Sequence, residues 1–231
     1  MENNVHNGHR ERVKKKFLEQ GFSDATPKHE ILELILFFSV PRKDTNELAH
    51  QLLNKFGSLS GVLNAPVSEL IKFPNITENT AALFKIIMEA ARIYNTESVS
   101  KSTVFTSIEE IGTYLLGRFA GITEEQFSVV SLDNKGKFIA YDVLSKGDIR
   151  TVGVSSRRVI EIMLERKAGM VVLAHNHPGG VALPSDVDLE TTKRIGEALS
   201  HIGVRLFDHI VIADGDFVSF RQSKQLLDFL K

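Results

Sequence analysis

The spacing of apolar residues changes character near residue 95. Before it the pattern is helical. Over His29–Phe38 the residues Ile31, Leu32, Leu34, Ile35, Phe37 and Phe38 are too dense for a surface helix and predict a largely buried one. Asn46–Phe56 sets Leu48, Leu52, Leu53 and Phe56 on one helical face, and Gly57 follows as a C-terminal stop. Pro66 and Ser68 open a short helix, and Thr77–Tyr94 reads as a long one rich in Ala, Leu and Ile. The polar, patternless stretch from Asn95 to Thr103 then reads as a linker.

From residue 105 strands and helices alternate. Ser107, with Glu110 three residues on, predicts a capped helix over Ser107–Phe119. Gln126–Leu132 and Phe138–Leu144 are apolar strands joined at the turn Asp133–Gly136, a hairpin. Thr151–Val154 reads as a third short strand. Ser155 and Ser156 cap a helix reaching Lys167, Gly169 stops it, and Met170–Ala174 is a buried strand. A helix from about Asp186 to His201 ends at Gly203, and Val204–Ala213 with Phe217–Phe220 form a last hairpin around Asp214-Gly215-Asp216. The expectation is α+β overall: a helical domain over 1–95, a linker over 96–103, and over 104–231 a mixed sheet with helices on its faces.

Composition narrows the classes. The 231 residues are 42% hydrophobic and 25% charged, ordinary for a globular chain of one or two domains. No apolar run reaches the roughly 18–20 residues that span a bilayer, and no apolar block follows the basic N-terminus. A cytoplasmic protein without membrane contact is the simplest reading. The absence of cysteine excludes disulfides, Cys-ligated zinc, iron–sulfur clusters and thiol catalysis. Charge is zero over residues 1–100 and −1 over 101–231, so neither half carries the basic footprint of a strong phosphate binder. Arg10, Arg12, Lys14, Lys15 and Lys16 do cluster, and read first as a solvated helix face.

The stretch that carries chemistry is AHNHPGGVALPSDVD, residues 174–188. His175 and His177, two apart at a strand end, point the same way. Pro178-Gly179-Gly180 turns the chain away, Pro184-Ser185 begins a helix, and Asp188 in its first turn can face the strand end. Two imidazoles and a carboxylate, with a fourth position left for water, make the open geometry of a catalytic zinc rather than the closed one of a structural zinc. Each piece has a blander reading: a His pair in core or surface, a turn, and a capping box with Asp in the place of Glu. Together they fix seven positions, a pattern expected by chance in well under about one chain in a million.

The stretch resembles the zinc motif of the JAB/MPN (JAMM) metalloproteases, His-x-His-x(7)-Ser-x-x-Asp. With its flanks VVLAHNHP and LFDHIVIADGDFVSF it is similar to the RadC branch of that superfamily, as are GHRERVKKKFLEQGF and FGSLSGVLNA in the first half. The resemblance implies an α/β/α fold of cytidine-deaminase-like type, one zinc ion held by His175, His177 and Asp188, and Ser185 helping to hold an oxyanion. It implies a glutamate before the first strand as general acid/base; Glu125 is the choice and Glu124 the fallback. Asp208-His209 matches the same branch and could orient a histidine ligand, or be a strand pair facing solvent. Gly179 stands where the family often has Ser. In residues 57–94 the family has a helix–hairpin–helix whose Gly-Ile-Gly turn admits a DNA phosphate; here the turn reads Pro74-Asn75-Ile76-Thr77, which favours a scaffold or docking module with at most weak DNA contact. The function expected is a zinc-dependent peptide or isopeptide hydrolase acting on a peptide or protein substrate. The alternatives are a DNA-associated accessory protein and a non-catalytic MPN-like interaction module. A zinc nucleobase deaminase needs Cys ligands that are absent.

Overall fold

The computed structural model describes residues 5–41, 43, 45–147, 154–213 and 215–223. The chain divides into two compact units, Met1–Ala90 and Ala91–Lys231. Among the described residues no helix is long and apolar enough to cross a membrane.

The first unit is helical: α1 Val5–Gln20, α2 Lys28–Leu36, α3 Asn46–Phe56, α4 Leu59–Asn64, α5 Val67–Leu70 and most of α6, Glu78–Thr96. Its core gathers Leu32, Leu36, Leu52, Leu70 and Phe84, all fully buried. Helix α4 is too short to show periodicity, yet its start is well specified. The Ser58 hydroxyl accepts from the Gly61 amide at 3.0 Å, and a Cβ on Gly61 would lie 2.1 Å from the Phe56 carbonyl oxygen, so only glycine permits this approach. Asn75 takes a φ of 70°, the left-handed turn that asparagine tolerates better than most residues, and its side-chain oxygen accepts from Lys43. Buried Glu33 receives the Nε2 of His9 and the Nδ2 of Asn46, each at 3.1 Å. Four of the basic residues of α1 have partners within the unit. Arg10 donates to the Val40 carbonyl at 2.8 Å and lies over Phe37, Lys14 lies over Phe38, and Lys15 and Lys16 pair with Glu19 and Glu30.

The second unit is built on a five-stranded sheet: β1 Gln126–Leu132, β2 Phe138–Lys146, β3 Met170–Asn176, β4 Arg205–Ala213 and β5 Asp216–Ser219. The order is β2-β1-β3-β4-β5, with β3 and β4 parallel and the other neighbours antiparallel. Alternation along β1 and β3 divides two cores. Phe127, Val129, Val171 and Leu173 face α8 (Ser156–Arg166) and α9 (Asp186–Ser200); Val130, Leu132, Met170, Val172 and Ala174 face α7 (Ile108–Phe119). The result is a mixed sheet with helices on both faces, α+β for the chain as a whole. Both central strands are buried along their whole length, as expected of strands covered on two sides.

Element ends depart from the sequence reading in instructive ways. Strand β3 runs on through His175 and Asn176, because β1 pairs with it as far as His175 and β4 as far as Asn176. At α7, Ser107 accepts from the Glu110 amide, but the Glu110 carboxylate turns to the amide and hydroxyl of Thr106, one residue earlier than a capping box requires. Residues 97–103 form turns that are not detached from the second unit: Val99 packs against the α7 core and the Thr103 carbonyl accepts from the Phe138 amide at 2.8 Å. The strand expected at Thr151–Val154 lies, except for Val154, outside the described residues, as does Asp214 in the last turn.

Two substitutions test whether the units fold on separate cores. Phe84→Ala should cost about 3–5 kcal/mol in the helical unit, and Leu173→Ala about 2–5 kcal/mol in the sheet. Urea unfolding followed at probes in each half should show each change moving its own transition. A single transition shifted equally by both would contradict independent cores.

Candidate metal centre

Strand β3 is the centre of the sheet, and the site forms at its C-terminal end. His175 is its penultimate residue, in register between Phe127 of β1 and Val211 of β4. The His177 amide donates to the Ile212 carbonyl at 2.8 Å, which keeps the chain extended past the strand and leaves both imidazoles on one face. The chain then turns at Gly179, whose φ of 67° is the left-handed conformation glycine adopts without steric cost.

Helix α9 brings the third group. Ser185 and Asp188 form a complete capping box: the Asp188 amide donates to Ser185 Oγ at 3.3 Å, and the Ser185 amide donates to Asp188 Oδ2 at 2.8 Å. The Ser185 hydroxyl donates to the same Oδ2 at 2.6 Å. A box that could have served the helix alone therefore also aims a carboxylate at the histidines. Asp188 Oδ1 lies 3.2 Å from His175 Nε2, Oδ2 lies 3.7 Å from His177 Nε2, and the two Nε2 atoms are 3.0 Å apart.

The donor set fits a small divalent cation. His177 Nδ1 faces the Val181 carbonyl at 3.1 Å, and a carbonyl only accepts. Nδ1 therefore carries the proton and Nε2 presents a lone pair. Ligand atoms of a tetrahedral zinc at 2.0–2.1 Å lie about 3.3–3.4 Å from one another, close to the separations found here. Among the described residues His175, His177 and Asp188 are the group of three able to hold a metal ion.

The cluster opens into a cleft of about 210 Å³ lined also by Glu125, Phe127, Ser185, Glu190 and Arg194. Glu125 precedes β1 by one residue. Phe127 stacks on His175, with rings 10° from parallel, so period-two alternation puts Glu125 on that same side and Glu124 on the other. The backbone here is clamped by Asn176. Its Oδ1 accepts from the Gln126 amide at 2.7 Å and its Nδ2 donates to the Glu124 carbonyl at 3.0 Å. Reading the sequence gave Asn176 no role, since a residue between two histidines points to the opposite face; that face is where it finds the β1 backbone.

Asp208 and His209 are both fully buried, not a pair facing solvent. Asp208 accepts from the Ser219 hydroxyl, the Arg221 amide at 2.9 Å and the His209 amide at 2.7 Å, which ties β5 and the turn after it to β4. Burial raises its carboxyl despite those bonds. His209 Nε2 lies 2.8 Å from His175 Nδ1, and its Nδ1 lies 2.6 Å from the Thr192 hydroxyl. Burial pushes this imidazole well below its ordinary pKa. The sequence marks Thr192 only by its place one helical turn after Asp188.

Residues 105–226, over half of the chain, match the family described as the RadC-like JAB domain. The chain is 36% identical over 213 residues to UPF0758 protein SPO0054 of Ruegeria pomeroyi, covering 92% of this chain and 95% of the relative. It is 36% identical over 209 residues to a UPF0758 protein of Rhodobacter capsulatus, covering 90% and 97%. With its mixed sheet, its helices on both faces and its His-x-His strand end, the chain belongs to the RadC family, whose mark is this JAB domain.

Proposed function

We propose that this protein is a zinc-dependent hydrolase of amide bonds, peptide or isopeptide, acting on a peptide or protein substrate. The observation that carries the reading is the convergence of His175 Nε2, His177 Nε2 and the Asp188 carboxylate in one cleft that Glu125 also lines. Those three residues would hold a zinc ion, which would supply Lewis acidity to polarise a carbonyl and acidify water. Glu125 takes the proton of the attacking water as its oxygen adds to the carbonyl carbon, and returns that proton to the leaving nitrogen as the C–N bond breaks. The Ser185 hydroxyl, now given to Asp188 Oδ2, becomes an oxyanion donor by turning its proton to the substrate oxygen. Asn176 fixes where Glu125 stands by holding the backbone on either side of it.

The purified full chain should contain about one zinc ion, and the His175→Ala, His177→Ala double variant should contain none by elemental analysis. Equal metal in the variant would remove the reading. An unbiased peptide-cleavage screen then supplies a substrate. Glu125→Gln should keep zinc and fold but lose about 10²–10⁴-fold in turnover, while Glu124→Gln changes little. Asn176→Ala should also keep zinc and lose up to about 10²-fold, the cost of a misplaced proton acceptor. Loss in Glu124→Gln with full activity in Glu125→Gln would move the role by one residue.

In the helical unit we propose a docking or scaffold role with weak DNA contact. The support is a net charge of zero over residues 1–100 and the partners that Arg10, Lys14, Lys15 and Lys16 of α1 find within the unit. Fluorescence anisotropy with duplex DNA at about 0.15 M salt should give no sub-micromolar binding; tight binding there would favour the DNA-associated alternative.

A further inference from the structure

We propose that His209 and Thr192 form a positioning relay that fixes the tautomer of His175, so that its Nε2 lone pair faces Asp188 and His177. The direction of every bond in the relay follows from one group at its end. The Thr192 hydroxyl lies 2.5 Å from the backbone carbonyl of Asp188. A carbonyl only accepts, so the single hydroxyl proton of Thr192 points there. Toward His209 Nδ1, 2.6 Å away, Thr192 can then only accept, and Nδ1 must carry a proton.

His209 is fully buried, and its two ring nitrogens face a hydroxyl and an imidazole, neither of them an anion. In the neutral ring, a proton on Nδ1 leaves Nε2 as an acceptor. His175 Nδ1, 2.8 Å away, must therefore be the donor, and the neutral ring of His175 then carries its lone pair on Nε2. Phe220 and Phe127 hold the plane of the His209 ring, at centroid distances of 4.6 and 5.5 Å.

The relay closes a loop through the sheet. It starts on α9 at the backbone of Asp188, passes through Thr192 one turn later, crosses to β4 at His209 and ends on β3 at His175. Two of the three metal-facing residues are thus linked by one directed chain of hydrogen bonds. A buried histidine that merely fills the core would stabilise the fold without deciding which nitrogen of His175 is bare. The expected effect on metal affinity rests on the zinc reading above, whereas the tautomer assignment does not.

The test joins two measurements on the full chain. Long-range ¹H–¹⁵N spectra of the metal-free protein, taken at a pH high enough for His175 to be neutral, should show it protonated on Nδ1 and not on Nε2. In His209→Leu, which fills the space without an acceptor, the His175 signals should move toward the other tautomer. His209→Gln, whose side chain can present an acceptor where Nε2 stood, should restore them. Thr192→Val, a nearly isosteric change, should loosen the assignment without touching either histidine, and Thr192→Ser should keep it. Zinc affinity measured by chelator competition should fall about 10–100-fold in His209→Leu and recover in His209→Gln. A wild-type His175 protonated on Nε2 overturns the relay, as does an unchanged tautomer in both His209→Leu and Thr192→Val. Affinity as weak in Gln as in Leu overturns it too, because shape rather than hydrogen bonding would then be at work. Should the wild type take up no zinc, the hydrolase reading fails and the spectra alone decide the relay.

Discussion

Acceptor atoms crowded into a partly buried space repel one another unless something positive lies between them, and the second unit is organised around such a crowd. Two imidazole nitrogens and a carboxylate stand 3.0–3.7 Å apart at the end of β3. Holding them there takes much of the fold. Neighbouring strands on both sides keep His175 and His177 in register, the Ser185–Asp188 capping box aims the carboxylate, and the Val181 carbonyl fixes the free nitrogen of His177. A buried polar cluster is tolerated when every member has a partner. Here the outward-facing ring nitrogens of both histidines have partners within the protein, and the three inward-facing ligand atoms lie close enough together to hold one cation.

The residues around the crowd share a division of labour by face. Strand alternation sends Phe127 and Glu125 toward the histidines and Asn176 away from them, onto the backbone that carries Glu125. It likewise separates His209, turned toward His175, from Asp208, which ties down β5. Adjacent residues in the His-Asn-His and Asp-His pairs thus serve opposite sides of one sheet.

Much of this was legible in the sequence because it is local. Helix caps, the β1–β2 hairpin, buried strands and the spacing from His175 to Asp188 are written in runs of a few residues, and the structure finds them within a residue or two. What could not be read is what depends on partners far apart in the chain. Thr192 and His209 meet across 17 residues, and Asn176 meets the backbone on either side of Glu125 across 50 and 52. Helix α4 escaped because six residues show no period; its evidence is the contact of Gly61 with the Phe56 carbonyl, which only coordinates reveal. The relatives match over nine-tenths of this chain, so the helical unit belongs to the shared pattern rather than to an addition on the JAB domain.

Cobalt(II) titration of the metal-free chain tests the central claim most directly, because cobalt reports coordination geometry as well as uptake. The account predicts saturation at about one equivalent, with the intense visible absorption of a four-coordinate nitrogen–oxygen site, and loss of that spectrum in Asp188→Ala. No saturable uptake, or a spectrum unchanged in Asp188→Ala, would contradict it.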